Sequence, residues 1–166
     1  MRNLLFCILM IGFPFLGSAQ LKAKEKCADF YVDVLSGTVN GAKANDGWAE
    51  LKGRFSCFTS ADPEDGSTKC GGGVFFKDKD VYFYTKRDYI EIGPKFVGKM
   101  SMQLLGAKRG SLFTKLGNPK IKDDLWDAFD TQYGTLVLHY DVVGAAGKIK
   151  FFQMSTFSTD ILQLCE

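Results

Sequence analysis

Apolar residues recur along this chain in two rhythms. Between residues 45 and 55 they fall three and four positions apart, at Trp48, Leu51 and Phe55, and Leu112, Phe113 and Leu116 repeat the spacing further on. That period lines one face of a helix. Asn45 or Asp46 is placed to cap the first helix, Gly117 to stop the second, and Pro119 to prevent its continuation. A third helical stripe runs through Cys27, Phe30, Tyr31, Val34 and Leu35 over residues 22–35. The β-branched Val32 and Val34 leave a strand over residues 30–35 as the alternative.

Elsewhere the rhythm is two. Residues 74–77 and 81–85 alternate about the turn Asp78, Lys79 and Asp80, which predicts a hairpin, and residues 135–141 and 149–155 predict another around Gly144 and Gly147. Alternation assigns Phe75, Val81 and Phe83 to a core face, with Leu136, Ile149 and Phe151 as their counterparts. The opposite face then carries Phe76, Tyr82 and Tyr84 in one half and Val137, His139, Lys150, Phe152 and Met154 in the other. It is too aromatic for plain solvent. Residues 118–132, rich in aspartate, read as a loop.

The two halves repeat at an offset of 61 positions. Gly37 matches Gly98, Val39 matches Met100, Leu51 matches Leu112, Arg54 matches Lys115, Phe55 matches Leu116 and Gly73 matches Gly134. Glycine matches count for more than apolar ones, because glycine marks backbone positions with special dihedrals or close approach. The fold class expected is α+β: two tandem helix-plus-antiparallel-hairpin units, about residues 37–92 and 98–157, forming one antiparallel sheet with helices on one face.

The first residues change which part of the chain folds. Arg2 and Asn3 precede an apolar run from residue 4 to 16, and Gly17, Ser18 and Ala19 offer small residues to a signal peptidase. Residues 1–19 read as a signal peptide, and residues 20–166 as a single exported domain, periplasmic or extracellular. The apolar run is shorter than the roughly 20 residues of a membrane span. Cys7 lies inside the run rather than at its end, unlike a lipidated cysteine, so no membrane anchor is predicted.

Charge adds little. With 21 Lys and Arg against 19 Asp and Glu, interspersed, the chain lacks the clustered basic excess of nucleic-acid binders. Cysteine usage says more. Cys27, Cys57, Cys70 and Cys165 remain after the signal peptide, and export favours disulfides over a four-thiolate metal site, whose paired C-x2-C spacing is missing. Cys57 and Cys70 bracket a turn-rich loop whose closure contributes about 3 kcal/mol in the chain-entropy model. Cys27 and Cys165 are then left to clasp the ends.

No catalytic constellation emerges. His139 is the lone histidine, and disulfide bonding removes every thiol able to pair with it as a nucleophile. Asp123, Asp124, Asp127 and Asp130 lack the alternating ligands and central glycine of a calcium loop. Gly71, Gly72 and Gly73 lack the Lys-Ser/Thr of a phosphate loop. No cofactor and no metal is predicted.

Two tandem units, a Gly117-Asn-Pro119 helix exit and the strand Gly134–Tyr140 resemble the β-lactamase-inhibitor-protein-like fold. A single unit is similar to small outer-membrane assembly lipoproteins. The resemblance covers about residues 37–157 and implies helical layers behind one antiparallel sheet whose free face binds protein. The expected function is a secreted or periplasmic protein-binding module, an inhibitor or an immunity protein, acting through Phe76, Tyr82, Tyr84, Val137, His139 and Phe152. A cell-envelope assembly or structural accessory protein is the alternative. Packing of residues 158–166 over the aromatic side chains is the structural rival to a binding face.

Overall fold

The computed structural model describes residues 26–165. The predicted signal peptide lies outside them. The fold is α+β and dominated by sheet. A small mixed sheet comprises β1 (Phe30–Asp33), β2 (Thr38–Val39), β3 (Ala42–Lys43) and β8 (Gly98–Met100), in the order β3-β2-β1-β8 with β1 and β8 parallel. The large sheet comprises β4 (Ser60–Asp62), β5 (Gly73–Phe76), β6 (Val81–Tyr84), β7 (Tyr89–Ile92), β9 (Ile121–Lys122), β10 (Trp126–Thr131), β11 (Gly134–Tyr140) and β12 (Ile149–Ser155). Its order is β4-β5-β6-β7-β12-β11-β10-β9, antiparallel throughout. Two short helices, α1 (Trp48–Arg54) and α2 (Phe113–Leu116), precede β4 and β9.

The core lies between the small sheet with α1 and one face of the large sheet. Phe30 of β1, Phe55 after α1, and Phe76 and Phe83 of the large sheet interlock with ring centroids 5.0–6.2 Å apart. Several of these contacts are edge-on, the arrangement aromatic quadrupoles favour. Leu51 anchors α1 with no exposed surface, and Leu112, 3 % exposed, holds the start of α2.

The stripe at residues 27–35 forms a strand. Phe30, Val32 and Val34 are buried while Tyr31 and Leu35 face out at 46 % and 67 % exposure, an alternation that a helix placing Tyr31 and Leu35 inside cannot produce. Neither Asn45 nor Asp46 caps α1, whose N-cap is Gly47. The Asp46 carboxylate instead accepts from the Lys43 N–H and pairs with Arg54 at 3.2 Å. The second predicted helix is a 3-10 turn, Arg109–Ser111, running into the single turn of α2. Gly117 does stop it, at φ 78°.

Both predicted hairpins form, but the 61-residue offset fails on both sides of the helices: Gly37 lies in the turn before β2 whereas Gly98 opens β8, and Val39 pairs antiparallel to β1 whereas Met100 pairs parallel to it. Leu51 and Leu112 occupy comparable places, whereas Gly73 opens β5, the second strand of its meander, and Gly134 opens β11, the third strand of the other. The loop between β4 and β5 is longer than the one between β9 and β10, so a constant shift cannot keep both halves in step. The two glycines also answer different constraints. A Cβ on Gly73 would lie 2.1 Å from the Phe83 carbonyl oxygen, while Gly134 sits at φ 141° against the Ser155 carbonyl. The acidic segment 118–132 is not one loop, since it contains β9 and β10.

The cysteines form two disulfides, paired differently from the sequence expectation: Cys27 with Cys57, and Cys70 with Cys165. Strand register explains the exchange. Ser60 pairs with Phe75 and Asp62 with Gly73, so Cys57 lies past one end of the β4–β5 hairpin and Cys70 past the other. Cys57 then faces Cys27, just before β1, and Cys70 meets the C-terminal segment. Among the described residues, no helix is long and apolar enough to cross a membrane.

Candidate functional site

The face of the large sheet turned away from the core is laid out by register. Phe75, Tyr82, Glu91, Gln153, Val137 and Ala128 are successive cross-strand neighbours over six strands. Beside them Phe151, His139 and Trp126 form a second row.

Register also corrects the predicted set. Tyr82, Tyr84 and His139 are on this face and half-buried, and Val137 shares it but is only 1 % exposed. Phe76 and Phe152 belong to the core face, with no exposed surface, and register puts Phe75 and Phe151 in their places on the outer face, where Phe75 is still only 8 % exposed. For Phe76 the cause is the turn, because Phe76 pairs with Val81 and must share its face. For Phe152 it is a β-bulge. Tyr140 pairs with Ile149 but His139 pairs with Phe151, so Lys150 is the extra residue and everything after it on β12 changes face. Met154, opposite Leu136, moves to the core for the same reason.

The rival role for the aromatic side chains is realised at one margin. The C-terminal segment passes the end of β7, where the Cys165 N–H donates to the Tyr89 hydroxyl at 3.3 Å. Tyr89 is thereby 1 % exposed and stacks on Tyr84 with centroids 4.6 Å apart. Burial pushes the Tyr84 phenol up to about 12.

The centre of the face is polar and connected. Gln153 Nε2 donates to the Glu91 carboxylate at 2.9 Å, which turns its Oε1 toward His139 Nε2 at 3.0 Å. Imidazole Nε2 must therefore carry a proton to donate. The ring stacks on Phe151, centroids 4.1 Å apart and planes within 9°. Burial holds His139 below its ordinary pKa, opposed by the bond it donates to Gln153. Burial also raises Glu91, opposed by Gln153 and reinforced by the charge of Asp80. Asp80 accepts from the Tyr82 hydroxyl and the Lys95 N–H. Among the described residues no cation lies within ion-pair distance of Glu91.

A raised carboxylate pKa makes ionisation costly to the folded state. The stability Glu91 contributes is present below its ordinary pKa of 4.5 and is lost as pH rises through the folded value. Glu91→Gln is expected to melt higher than the parent at pH 7, with the gap closing by pH 4. Acidification also destabilises both proteins through His139, so the readout is the gap between the two melts and not either melt alone. A gap independent of pH in paired thermal melts would refute the burial of this charge.

The remaining predicted residues serve other ends. Asp127 is buried in an ion pair with Arg109, and Asp130 accepts from the Thr159 hydroxyl. The Asp123 and Asp124 carbonyls bind the Arg109 guanidinium. No group of three or more His, Cys, Asp or Glu side chains is arranged to hold a metal among the described residues. Sequence reasoning missed Glu91, Gln153, Trp126 and Arg109. Glu91 was legible as the lone acid between Ile90 and Ile92, a polar position on a strand.

The arrangement brings flat rings, a buried amide relay and one carboxylate without a counter-ion onto one face. No family model, curated protein or solved structure matches the chain.

Proposed function

We propose that the chain is an exported protein that binds another protein through the outer face of its large sheet. The observation that carries this reading is Glu91, a half-buried carboxylate without a cation, flanked across the strands by Tyr82 and Gln153 and near the stacked His139 and Phe151. Tyrosine and tryptophan bury large area at low entropic cost and dominate binding hot spots. An uncompensated acid among them favours a partner that presents a cationic side chain there. Two disulfides support an oxidising compartment.

The resemblance to the β-lactamase-inhibitor-protein-like fold gains support from strand order. Four strands from each half meet at their last members, β7 and β12, and a helix precedes each set of four. We read this as two tandem units sharing one sheet, with an inhibitor or immunity role.

Affinity capture from envelope and extracellular fractions, followed by titration with the purified partner, tests the reading. Tyr82→Ala with Phe151→Ala is expected to weaken the complex by at least about 2 kcal/mol, the usual hot-spot threshold. Tyr84 is left in place because it stacks on Tyr89. Phe83→Ala is the core control, expected to cost about 3 kcal/mol or more of stability. A double variant that binds like the parent, or unfolds like Phe83→Ala, defeats the assignment. Recovery of outer-membrane assembly machinery in place of a secreted enzyme or toxin favours the accessory role.

A further inference from the structure

At the margin of the sheet face, the loop before β5, the 3-10 turn Thr85–Arg87 and the C-terminal segment border a half-open cavity of about 540 Å³. That volume is typical of small-molecule sites. Lys69, Lys86 and Arg87 line it, with Thr68 on the loop and Phe157 and Ile161 on the opposite wall, and no carboxylate is among its lining residues.

Hydrogen-bond capacity there is one-sided. Arg87 spends Nε, Nη1 and Nη2 on the carbonyls of Cys70, Leu164 and Lys69, which leaves one N–H on each Nη. Lys86 Nζ donates to the Glu64 carbonyl at 3.2 Å and has two further N–H groups. The Thr68 hydroxyl is buried without a partner. Among the described residues no acid lies within ion-pair distance of Lys86 or Arg87. Asp65, on the same loop, caps the Ser67 N–H and feels the charge of Lys86 without bonding to it, and the Glu64 carboxylate is taken up by the Thr85 hydroxyl. Donors are thus in excess, and the charge they carry is positive. The facing wall is the reverse, since Phe157 and Ile161 stand 39 % and 60 % exposed.

We propose that this cavity binds a small carboxylate that carries an alkyl group, its head against Lys86 and Arg87 and its chain along Phe157 and Ile161. A bare anion leaves the apolar wall uncovered, and a neutral alkyl ligand leaves the donors unpaired. The three bonds of Arg87 to backbone carbonyls fix its guanidinium before any ligand arrives, which lowers the ordering cost of binding.

Calorimetric titration of the full chain with octanoate, 1-octanol, octylammonium and acetate tests this. Octanoate is expected to bind saturably with a Kd near or below about 1 mM, at least tenfold tighter than the other three. Lys86→Gln should weaken octanoate about tenfold, in line with losing one charge-assisted hydrogen bond. Ile161→Ser should weaken it several-fold. Both positions are exposed, so thermal melts should match the parent. Octanol binding as tightly as octanoate, no saturable octanoate heat, or unchanged affinity in Lys86→Gln overturns the proposal. Glu91→Gln should bind octanoate like the parent, so failure here leaves the sheet-face reading standing, and the reverse.

Discussion

Arg109→Ala is expected to lower the free energy of unfolding by about 3–5 kcal/mol, the range seen when one member of a buried ion pair is removed. Arg109 and Asp127 are 4 % and 0 % exposed. The guanidinium binds the carboxylate through two N–H groups, Nε to Oδ2 at 2.9 Å and Nη2 to Oδ1 at 2.5 Å. It also donates to the Asp124 and Asp123 carbonyls at 2.9 and 2.6 Å, and its flat face lies 4.7 Å from the centre of the Tyr140 ring. The Tyr140 hydroxyl donates to Asp127 as well. Alanine thus strands a charged acceptor and two carbonyls at once. The control is Arg109→Met with Asp127→Leu, which removes both charges and should recover much of the loss, because no buried charge remains unpaired. Urea unfolding of the three proteins provides the comparison. A single-variant loss below about 1 kcal/mol would contradict the geometry.

That ion pair also shows why part of the fold resists reading from sequence. Asp127 and Asp130 make β10 look like a solvated loop, and the strand becomes plausible only once Arg109, 18 positions earlier, is known to neutralise Asp127. The local period is silent about such partners. By contrast, both hairpins were legible because alternation and turn residues act over a few positions. Which face each hairpin buries was half legible: Tyr82, Val81 and Phe83 follow simple alternation, whereas the bulge at Lys150 reverses Phe151 and Phe152 without any local signature. The candidate site inherits that division. Tyr82 and His139 were found, and Phe75, Phe151 and the Glu91–Gln153–His139 relay required cross-strand register.

Disulfide pairing was the least accessible, since four cysteines permit three connectivities that sequence alone does not rank. The last expected result rests on it. Non-reducing peptide mapping should join Cys27 to Cys57 and Cys70 to Cys165. Removing the second bond with Cys70→Ala and Cys165→Ala should cost more than removing the first. The chain-entropy model gives about 4.7 kcal/mol for the 95-residue separation and about 3.6 kcal/mol for the 30-residue one. Contacts act in the same direction. The bond at Cys70 holds the C-terminal segment where Leu164 accepts from Arg87 and Cys165 donates to Tyr89. Its loss should fray that segment, expose Tyr89 and open the wall carrying Ile161. The Cys27–Cys57 bond lies within the core, at 6 % and 9 % exposure, where alanines leave a small void but the surrounding packing persists. Denaturant melts of the two double variants, read with the near-ultraviolet signal of the tyrosines, decide the order. Equal losses would mean that the C-terminal segment docks without its disulfide, and a Cys57–Cys70 peptide would overturn the pairing and the hairpin register that explains it.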